Sequence, residues 1–259
     1  MGTVAKALSL LDLFSHARTE IGLSDMTRLS GLNKATVHRL LQELQAGGLV
    51  EQTGEGRAYR LGPQVLRLAA LREAAVPVLA ASREVLTQLS RDTGETAHMS
   101  LLRGDSLHTL THAYSARHAT RVMMEDAERL SFHGTASGLA VLAYADGDFV
   151  DRVLAPPLTR HTPHTETDPR AIRAMLETVR LTGIAESVGR FEADVHSHAA
   201  PVFGPDQRPM GALAVAAPVS RMTPAQRGTI RAALHRGARD MTRRIGGFCP
   251  PSYPADLAA

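Results

Sequence analysis

The sequence predicts an α+β protein built from two domains, and two observations indicate this class. Over the first 62 residues the pattern is helix, helix, turn, helix and hairpin. From Glu95 onward, short β-like runs and helical segments follow one another, as in an antiparallel sheet with helices packed on it. A chain of 259 residues has room for one large domain or two ordinary ones.

Composition limits the partners and the compartment. The formal net charge is +3 with His neutral, so bulk charge alone does not indicate nucleic-acid binding. A single cysteine, Cys249, rules out an internal disulfide and fits a reducing compartment. Asp12 interrupts the apolar run at the start, so no secretory signal is predicted. No apolar stretch approaches the roughly 20 residues that span a bilayer. We therefore expect a cytoplasmic protein with no membrane partner.

The N-terminal segment predicts three helices. Residues 3–15 place apolar side chains on one stripe, the spacing of an amphipathic helix. Ser24 is predicted to cap a second helix that ends at Gly31. Asn33 is predicted to cap a third, which runs over about residues 34–45 and stops at two glycines.

Residues 49–62 predict a β-hairpin. The run LVEQTGEGRAYRLG alternates around a glycine-rich tip at residues 54–56. Three helices followed by a hairpin is the order of a winged helix-turn-helix. Four apolar residues fall where the two helices of such a motif touch, with Gly31 in the turn: Met26, Leu32, Val37 and Leu40.

The outward side of the third helix is predicted to bind DNA. Its N-terminal end is the part that reaches base edges or phosphates in this motif. Arg39 suits a phosphate or a guanine edge, and Arg57 on the hairpin tip would reach the neighbouring backbone. The predicted contact residues are Ser24, Asn33, Lys34, Ala35, Thr36, His38, Arg39 and Arg57. The alternative is a solvated polar face on a packing hairpin, because residues 1–62 carry seven Lys/Arg against six Asp/Glu, a net charge of +1.

The remaining chain predicts a linker helix and a second domain. Residues 63–75 form the linker helix, which Pro77 should break, and residues 76–248 form the domain. Its predicted elements are a strand pair from TAHMSLLRGDSLHTLTHAYS, a buried helix from GTASGLAVLAYA, an amphipathic helix from DPRAIRAMLETVRLTG, two strands from SHAAPVFGPDQRPMGALAVAAPV and a last helix over about residues 224–245. The Pro-rich tail, residues 249–259, is expected to be disordered.

Seven segments occur together and in order: GLNKATVHRLLQEL, YRLG, TGETAHMSLL, SFHGTASGLAVLA, HTETDP, RLTGIAES and HAAPVFGPDQRPMGALAVAAPVSR. Over about Val4 to Gly246 the chain thereby resembles the IclR family of bacterial transcriptional regulators. The resemblance implies a winged helix-turn-helix joined by a linker helix to a GAF-like effector-binding domain. It also implies a homodimer or a dimer of dimers on double-stranded operator DNA. A small organic effector, a carboxylic or aromatic metabolite, would modulate DNA binding.

The resemblance further implies where the effector binds. The implied contact residues are Met123, Met124, His133, Thr135, Ser187, Ser197, Ala214 and Ala216. The two alanines stand where many relatives carry serine, so a less polar pocket is expected than in sensors of small hydroxyacids. An anionic head group would find Arg121 or the backbone amides around residues 134–137. The alternative for the two methionines is ordinary core packing.

The histidines offer a second hypothesis, a metal-responsive regulator. Two pairs have the spacing of ligands: His161 with His164, and His196 with His198. A third ligand for the second pair would be His133 or His98. However, if Ser197 faces the effector pocket, strand alternation turns its two neighbours away from it. We predict no metal and no cofactor.

No catalytic residues are predicted. The sequence has no G-x-S-x-G elbow, no phosphate-binding glycine loop and no H-E-x-x-H. A small-molecule enzyme with a helical appendage is the less favoured alternative. The mechanism we expect is a two-state dimer, in which the effector moves the linker helix and resets the distance between two DNA-reading helices.

Overall fold

The computed structural model describes residues 2–14, 18–54, 57–75, 78–125 and 128–254. The chain divides into two compact units, Met1–Pro77 and Val78–Ala259. Within the described ranges, no helix combines the length and the apolar character needed to cross a membrane. The predicted fold class is confirmed, because a winged helix-turn-helix precedes an α/β unit with an antiparallel sheet.

The first unit contains four helices and a two-stranded hairpin. Its elements are α1 (Thr3–Leu11), α2 (Leu23–Ser30), α3 (Lys34–Ala46), β1 (Val50–Gln52), β2 (Tyr59–Leu61) and α4 (Gln64–Ala75). Helix α1 is shorter than predicted. After Asp12, the amides of Leu13 and Phe14 bond carbonyls three residues back, so the chain tightens and leaves the helix. Ser15, the predicted end, lies outside the described residues.

The two predicted helix caps have different outcomes. Asn33 caps α3 as expected, because its side chain accepts a hydrogen bond from the Thr36 amide at 2.8 Å. The cap predicted at Ser24 is wrong. Gly22 holds the extended conformation before α2, and Ser24 is the second helical residue. Gly31 ends α2 at φ +68°, a conformation in which glycine carries no Cβ penalty.

The core of the first unit is built by one side of each element. It comprises Leu10, Ile21, Met26, Val37, Leu40, Leu41, Leu44, Val50 and Tyr59. Three of the four predicted contacts between the helices lie in it, and the fourth, Leu32, is partly buried against it. The fully buried Leu41 side chain contributes roughly 1.5–3 kcal/mol to stability.

The second unit is a six-stranded antiparallel sheet covered by helices. Its elements are α5 (Val78–Thr93), β3 (Thr96–Arg103), β4 (Ser106–Ala113), β5 (Arg129–Leu130), α6 (Ala136–Tyr144), α7 (Gly147–Val153), α8 (Pro169–Thr182), β6 (Ala185–Val188), β7 (Val195–Phe203), β8 (Pro209–Pro218) and α9 (Pro224–Arg244). The strand order is β5-β4-β3-β8-β7-β6. The predicted buried helix is α6, in which residues 136–143 are all buried.

The sheet has two different faces because side chains alternate along each strand. Ala185, Ala199 and Ala214 pack with α6 and α8 on one face, which we call the front face. Ala200, Leu213 and Val215 pack with α5 and α9 on the rear face. In the register, Ser187 pairs with Ser197 and Ser197 with Ala216, so this row lies on the front face.

The expectation of disorder is wrong for the first part of the tail. Tyr253 is buried, and its ring packs edge-on against Phe203 with centroids 5.3 Å apart. An aromatic side chain at that position gains enough buried apolar area to hold residues 249–254 against the unit. Residues 255–259 lie outside the described part of the chain.

Candidate functional site

The outer face of α3 is polar and exposed. Its inner face supplies Val37, Leu40, Leu41 and Leu44 to the core, so the 3.6-residue period turns the intervening residues outward. Six of the predicted DNA-contacting residues lie in or just before the first two turns: Asn33, Lys34, Ala35, Thr36, His38 and Arg39. All six are exposed except Thr36, which is half-buried. The structure therefore brings these six residues onto one accessible helix end.

The charges of the first unit fall into two groups. Arg28 pairs with Asp25 at 2.9 Å, and Arg60 pairs with Glu51 at 2.6 Å. Lys34 and Arg39 have no ion-pair partner in the described part of the chain. Because the first group is neutralised internally, Lys34 and Arg39 are the positive charges that the exposed N-terminal part of α3 offers to a partner. Such unpaired cations are what phosphate oxygens attract.

The hairpin and the start of α2 carry the other two predicted contacts. Arg57 is exposed and adopts φ +48°, where a non-glycine residue costs about 1–2 kcal/mol. Gln52 Nε2 supports this conformation by donating to the Arg57 carbonyl at 3.0 Å. Ser24 is exposed in the first turn of α2. The tip residues Glu55 and Gly56 lie outside the described residues.

A cavity opens on the front face of the second unit. Its volume is about 50 Å³, enough for roughly four water molecules. The wall is formed by His98, Val122, Met124, Glu128, Leu130, Thr135, Ala136, Ser137, Ser187, Phe191, Glu192, Val195, Ser197 and Ala216. These residues come from strands β3, β5, β6, β7 and β8, the start of α6 and the connecting loops.

Five of the eight predicted effector residues lie on this wall: Met124, Thr135, Ser187, Ser197 and Ala216. Three do not. Met123 points outward with 64% of its surface exposed. His133 lines a neighbouring cleft, and its Nε2 lies 2.8 Å from the Thr159 carbonyl. Ala214 is buried beside His98, two residues along β8 from the wall residue Ala216.

Hydrogen bonds fix the predicted wall residues in place. Met124 is held through its backbone, because the Tyr114 hydroxyl accepts from its amide at 3.0 Å and donates to its carbonyl at 3.2 Å. Thr135 caps α6 by accepting from the Gly138 amide at 3.0 Å. The Ser187 hydroxyl donates to the Gly134 carbonyl at 2.8 Å. Hydrogen bonds within the unit therefore hold the backbone of Met124 and the side chains of Thr135 and Ser187.

Several wall residues were not predicted. His98 had a usable signal, since it lies two residues along β3 from Thr96, the partner of Ala216. Ser137 lies in the capped first turn of α6, whose backbone amides the sequence predicts as an anion-binding group. Glu128, Phe191 and Glu192 lie in or next to irregular segments. No periodic pattern marks such positions, so their convergence depends on the tertiary fold.

The ionisable groups of the wall are a neutral imidazole and two carboxyls. Burial, helped by the charge of His112, lowers the pKa of His98 to about 4, so its ring is neutral near pH 7. Its Nε2 lies 3.3 Å from the Ser137 hydroxyl. Burial and then the Glu192 charge raise the pKa of Glu128, while burial and then Asp194 raise the pKa of Glu192. The wall contains no Lys or Arg among the residues that the structure describes.

Arg121, which the sequence predicts as a partner for an anionic head group, does not form part of this wall. Its guanidinium stacks on the Tyr114 ring, 4.3 Å from the centroid, and the residue is exposed. The other predicted anion-binding group, the start of α6, does lie on the wall, where it contributes Thr135, Ala136 and Ser137. A helix N-terminus carries partial positive charge and free amides. The wall thus combines the partial positive charge of a helix N-terminus with two carboxyl groups, Glu128 and Glu192.

The third potential ligand beside the second histidine pair is not the one that the sequence predicts. His196 and His198 point to the rear face, away from the cavity, as strand alternation predicts. The group that joins them is Glu186, rather than His133 or His98. Hydrogen bonding from His196, with His198 beside it, holds the pKa of the Glu186 carboxyl well below its usual range. In the described part of the chain, His161 and His164 belong to no group of three such ligands.

Comparison with protein families finds matches over both units. The model for the "IclR helix-turn-helix domain" matches residues 3–54, and that for the "Bacterial transcriptional regulator IclR C-terminal" matches residues 72–243. The chain is 29% identical to the HTH-type transcriptional regulator XynR of Escherichia coli over 254 residues, covering 98% of each. It is 30% identical over 219 residues to the probable transcriptional regulator SauR of Cupriavidus necator, covering 84% of this chain and 86% of that one.

Solved structures show the same arrangement of elements. A crystal structure from Silicibacter sp. TM1040, assigned to the IclR transcriptional regulators, is 67% identical with a TM-score of 0.86 and covers 98% of this chain and 100% of that one. The IclR homologue of Microbacterium hydrocarbonoxydans, solved with 4-hydroxybenzoate, is 24% identical with a TM-score of 0.57. It covers 94% of this chain and 99% of that one, and at this identity it shows the fold.

Proposed function

The chain belongs to the IclR family of bacterial transcriptional regulators, and from this premise we propose how it binds DNA and what it senses. It binds double-stranded operator DNA through the outer face of α3, with Arg57 on the hairpin as a backbone contact. A small organic molecule in the front-face cavity changes the affinity for that DNA. The single observation that supports the DNA role best is the pair of unneutralised cations, Lys34 and Arg39, on the exposed helix end.

The proposed contacts divide into positioning and reading. Lys34, Ser24, Asn33 and Arg57 supply charges or small polar groups that suit phosphate oxygens, which fix register but carry no sequence information. Arg39 and Thr36 have the reach and the donors for base edges, Arg39 to a guanine in particular. Substituting a phosphate contact should weaken binding to all sequences equally, whereas substituting a base contact should relax the preference for one position.

We propose a homodimer or a dimer of dimers as the DNA-binding form. A helix-turn-helix of this size covers one half-site, and two of them must lie about 34 Å apart, or a multiple of that, to enter successive major grooves. A ligand that favours one spacing over the other changes operator affinity by its difference in affinity for the two states. Equilibrium sedimentation with and without a symmetric operator tests the stoichiometry.

The charges of the cavity define the effector class. A hydrogen-bond acceptor such as a carboxylate or a phenol oxygen fits the N-terminus of α6, at Thr135 and Ser137. Glu128 and Glu192 on the same wall favour a hydrogen-bond donor or a cation elsewhere on the ligand. Phe191 offers a face for an aromatic ring or an ammonium group. We therefore propose a small aromatic or aliphatic monocarboxylate whose far end is neutral or cationic, and we exclude dicarboxylates.

The size of the cavity sets a further condition. The Microbacterium hydrocarbonoxydans homologue binds 4-hydroxybenzoate, a one-ring monocarboxylate of the proposed class. Such a ring needs more room than about 50 Å³. Binding of a ring here therefore requires the wall to open, and Met124, with its flexible thioether, is suited to move.

Three matched probes test the proposed class: 4-(aminomethyl)benzoate, 4-hydroxybenzoate and terephthalate. All three carry a carboxylate at one end of a single ring, and the far end is an ammonium group, a neutral hydroxyl or a second carboxylate, respectively. The unfolding temperature of the full chain should be raised most by the cationic probe and least by the anionic one, because at equal concentration a ligand with a lower dissociation constant stabilises the folded chain more. Strongest stabilisation by terephthalate would contradict the proposed polarity of the cavity.

No enzymatic activity is proposed, and the proposed location is the cytoplasm. The curated relatives are transcriptional regulators. Recovery of each probe unchanged after prolonged incubation with the protein is the expected result. Conversion of any probe at a rate that depends on Ser197 would contradict this part of the proposal.

A further inference from the structure

A second group of ligand-type side chains lies on the rear face of the sheet, behind the cavity. Glu186 on β6 pairs with His198 on β7, and Val188 pairs with His196. Since Ser187 and Ser197 line the cavity on the front face, Glu186, His196 and His198 project from the opposite face. This group is therefore separate from the proposed effector site, although the same two strands carry both.

We propose that Glu186, His196 and His198 bind a divalent transition-metal ion, with Zn²⁺ as the preferred ion. Each residue offers one ligand atom, and these atoms all lie within 4.8 Å of one another. Two imidazole nitrogens and one carboxylate oxygen form a ligand set that holds zinc with a fourth position open to water.

The distances are close to those of a tetrahedral site. Bonds of about 2.0–2.1 Å at tetrahedral angles place neighbouring ligand atoms about 3.3 Å apart. His198 Nε2 lies 3.3 Å from Glu186 Oε1, and His196 Nε2 lies 2.6 Å from the same oxygen. The second distance must lengthen by about 0.7 Å to admit an ion. A rotation of the Glu186 side chain, which is 39% exposed, achieves this without moving the strands.

The state of His198 supports a role beyond packing. It is 1% exposed; in the described part of the chain its Nδ1 has no hydrogen-bond partner, and its Nε2 contacts only the Glu186 carboxylate, at 3.3 Å and without the geometry of a hydrogen bond. A buried polar atom without a partner costs about 1–3 kcal/mol. The rings of His196 and His198 are stacked with centroids 4.9 Å apart, so both Nε2 atoms face the same carboxylate. A cation there supplies the missing partner of His198 Nε2.

An ion has a route to this group. A cleft of about 170 Å³ opens beside it and is lined by Glu186 and His198 together with Arg190 and Arg231. It has room for the ion and a coordinated water. Among the described residues, three cations oppose binding: Arg190 and Arg231 line the cleft, and Arg227 lies closest to the ligand group, 3.9 Å from Glu186 Oε1. Removing the Arg227 charge should therefore strengthen ion binding, whereas removing a ligand should weaken it.

The test uses the full-length protein, dialysed against a chelator and titrated calorimetrically with zinc chloride alone. We expect one ion per chain in the wild type. Glu186→Gln and His198→Gln should each weaken binding at least about tenfold, since removal of a ligand costs no less than removal of a ligand's supporting partner. His164→Gln, at an exposed histidine outside the group, should have no effect. Arg227→Gln should strengthen binding severalfold, because it removes a competing charge.

A measurement on the wild type alone guards against variants that fail to fold. Titration with cobalt chloride should produce the intense visible absorption of a four-coordinate ion with nitrogen and oxygen ligands, and excess zinc should bleach it. No saturable binding of zinc to the wild type would overturn the proposal. So would binding that Glu186→Gln and His198→Gln leave unchanged, or a weak octahedral cobalt spectrum.

Discussion

The outer face of α3 and the cavity of the second unit, the proposed DNA and effector sites, differ in the physical means by which they would recognise a partner. On α3, cations stand exposed and unneutralised, so attraction acts at long range and depends on salt. In the cavity, His98 is neutral and buried, and two carboxyls are held in a site that disfavours their charge. Selectivity there comes from short-range complementarity, and occupancy relieves an electrostatic cost. Substitutions on α3 should therefore change affinity most, and those in the cavity should change response.

The largest effect is expected from Arg39→Ala. Loss of a base-edge or phosphate contact should weaken operator binding by about 1–3 kcal/mol, roughly 5- to 150-fold. Fluorescence anisotropy at fixed salt with a genome-selected operator measures it. The matched control is Arg28→Ala, which removes an exposed arginine that is already paired with Asp25 and should change affinity much less. If both substitutions weakened operator binding equally, the claim that unpaired cations contribute more to DNA binding than paired ones would be wrong.

A comparable but separate effect is expected from Ser197→Leu. The larger side chain fills a cavity of about 50 Å³, so the stabilisation by the best probe should disappear while operator affinity stays unchanged. Thermal unfolding with the probe and anisotropy without it give the two readings. Ser220→Leu, at an exposed serine outside the wall, is the control and should bind the probe normally. If Ser197→Leu kept the full response, the effector would bind elsewhere.

A smaller effect, on thermal stability, should distinguish Asn33 from Ser24, the two predicted helix caps. Asn33→Ala removes the hydrogen bond to the Thr36 amide, which should cost about 1 kcal/mol and lower the unfolding temperature of the first unit by roughly 4–8 °C. Ser24→Ala should leave stability unchanged, because Gly22 holds the capping position. Far-UV circular dichroism during thermal unfolding compares them. Equal losses would mean that Ser24 caps α2 after all.

The smallest effect concerns the carboxyls of the cavity. Burial and Asp194 raise the pKa of Glu192, so its ionised form is less favourable in the folded than in the unfolded chain. Glu192 therefore reduces stability at neutral pH, and this loss fades as pH falls through its folded pKa towards the unfolded value of about 4.3.

The corresponding substitution is Glu192→Gln. It should raise the unfolding temperature by about 1–2 °C at pH 7 and by nothing at low pH, where both side chains are neutral. Glu177→Gln is the control, since Glu177 pairs with Arg180 at 2.5 Å on the exposed side of α8 and should not stabilise. If Glu192→Gln also raised the unfolding temperature at low pH, packing rather than charge would be the cause.

The two regions also differ in how far the sequence predicted them. The α3 face depends on local rules, namely a cap at Asn33, a 3.6-residue period and a terminating glycine, and each could be evaluated within a dozen residues. The error at Ser24 arose because Gly22 also suits the capping position and lies two residues earlier. Sequence alone does not decide between two capping candidates that lie two residues apart.

The cavity depends on distant segments, so prediction reached only those on regular strands or at a helix cap. Ser187, Ser197 and Ala216 follow from alternation and register once the strands are known. Met123 and His133 lie in an irregular stretch, where a shift of one residue reverses which side chain faces inward. Glu186 joined the rear histidines through strand pairing, which no spacing between histidines reveals.

The central claim is that occupancy of the cavity changes binding of operator DNA by the α3 face. The most direct measurement is an anisotropy titration of the selected operator with the wild type and Ser197→Leu, each with and without the best-stabilising probe at saturation. The account predicts a change of at least about 5-fold in the wild-type dissociation constant, and no change in Ser197→Leu at unaltered basal affinity. An identical wild-type constant with and without bound probe would contradict it, as would an equal change in both proteins.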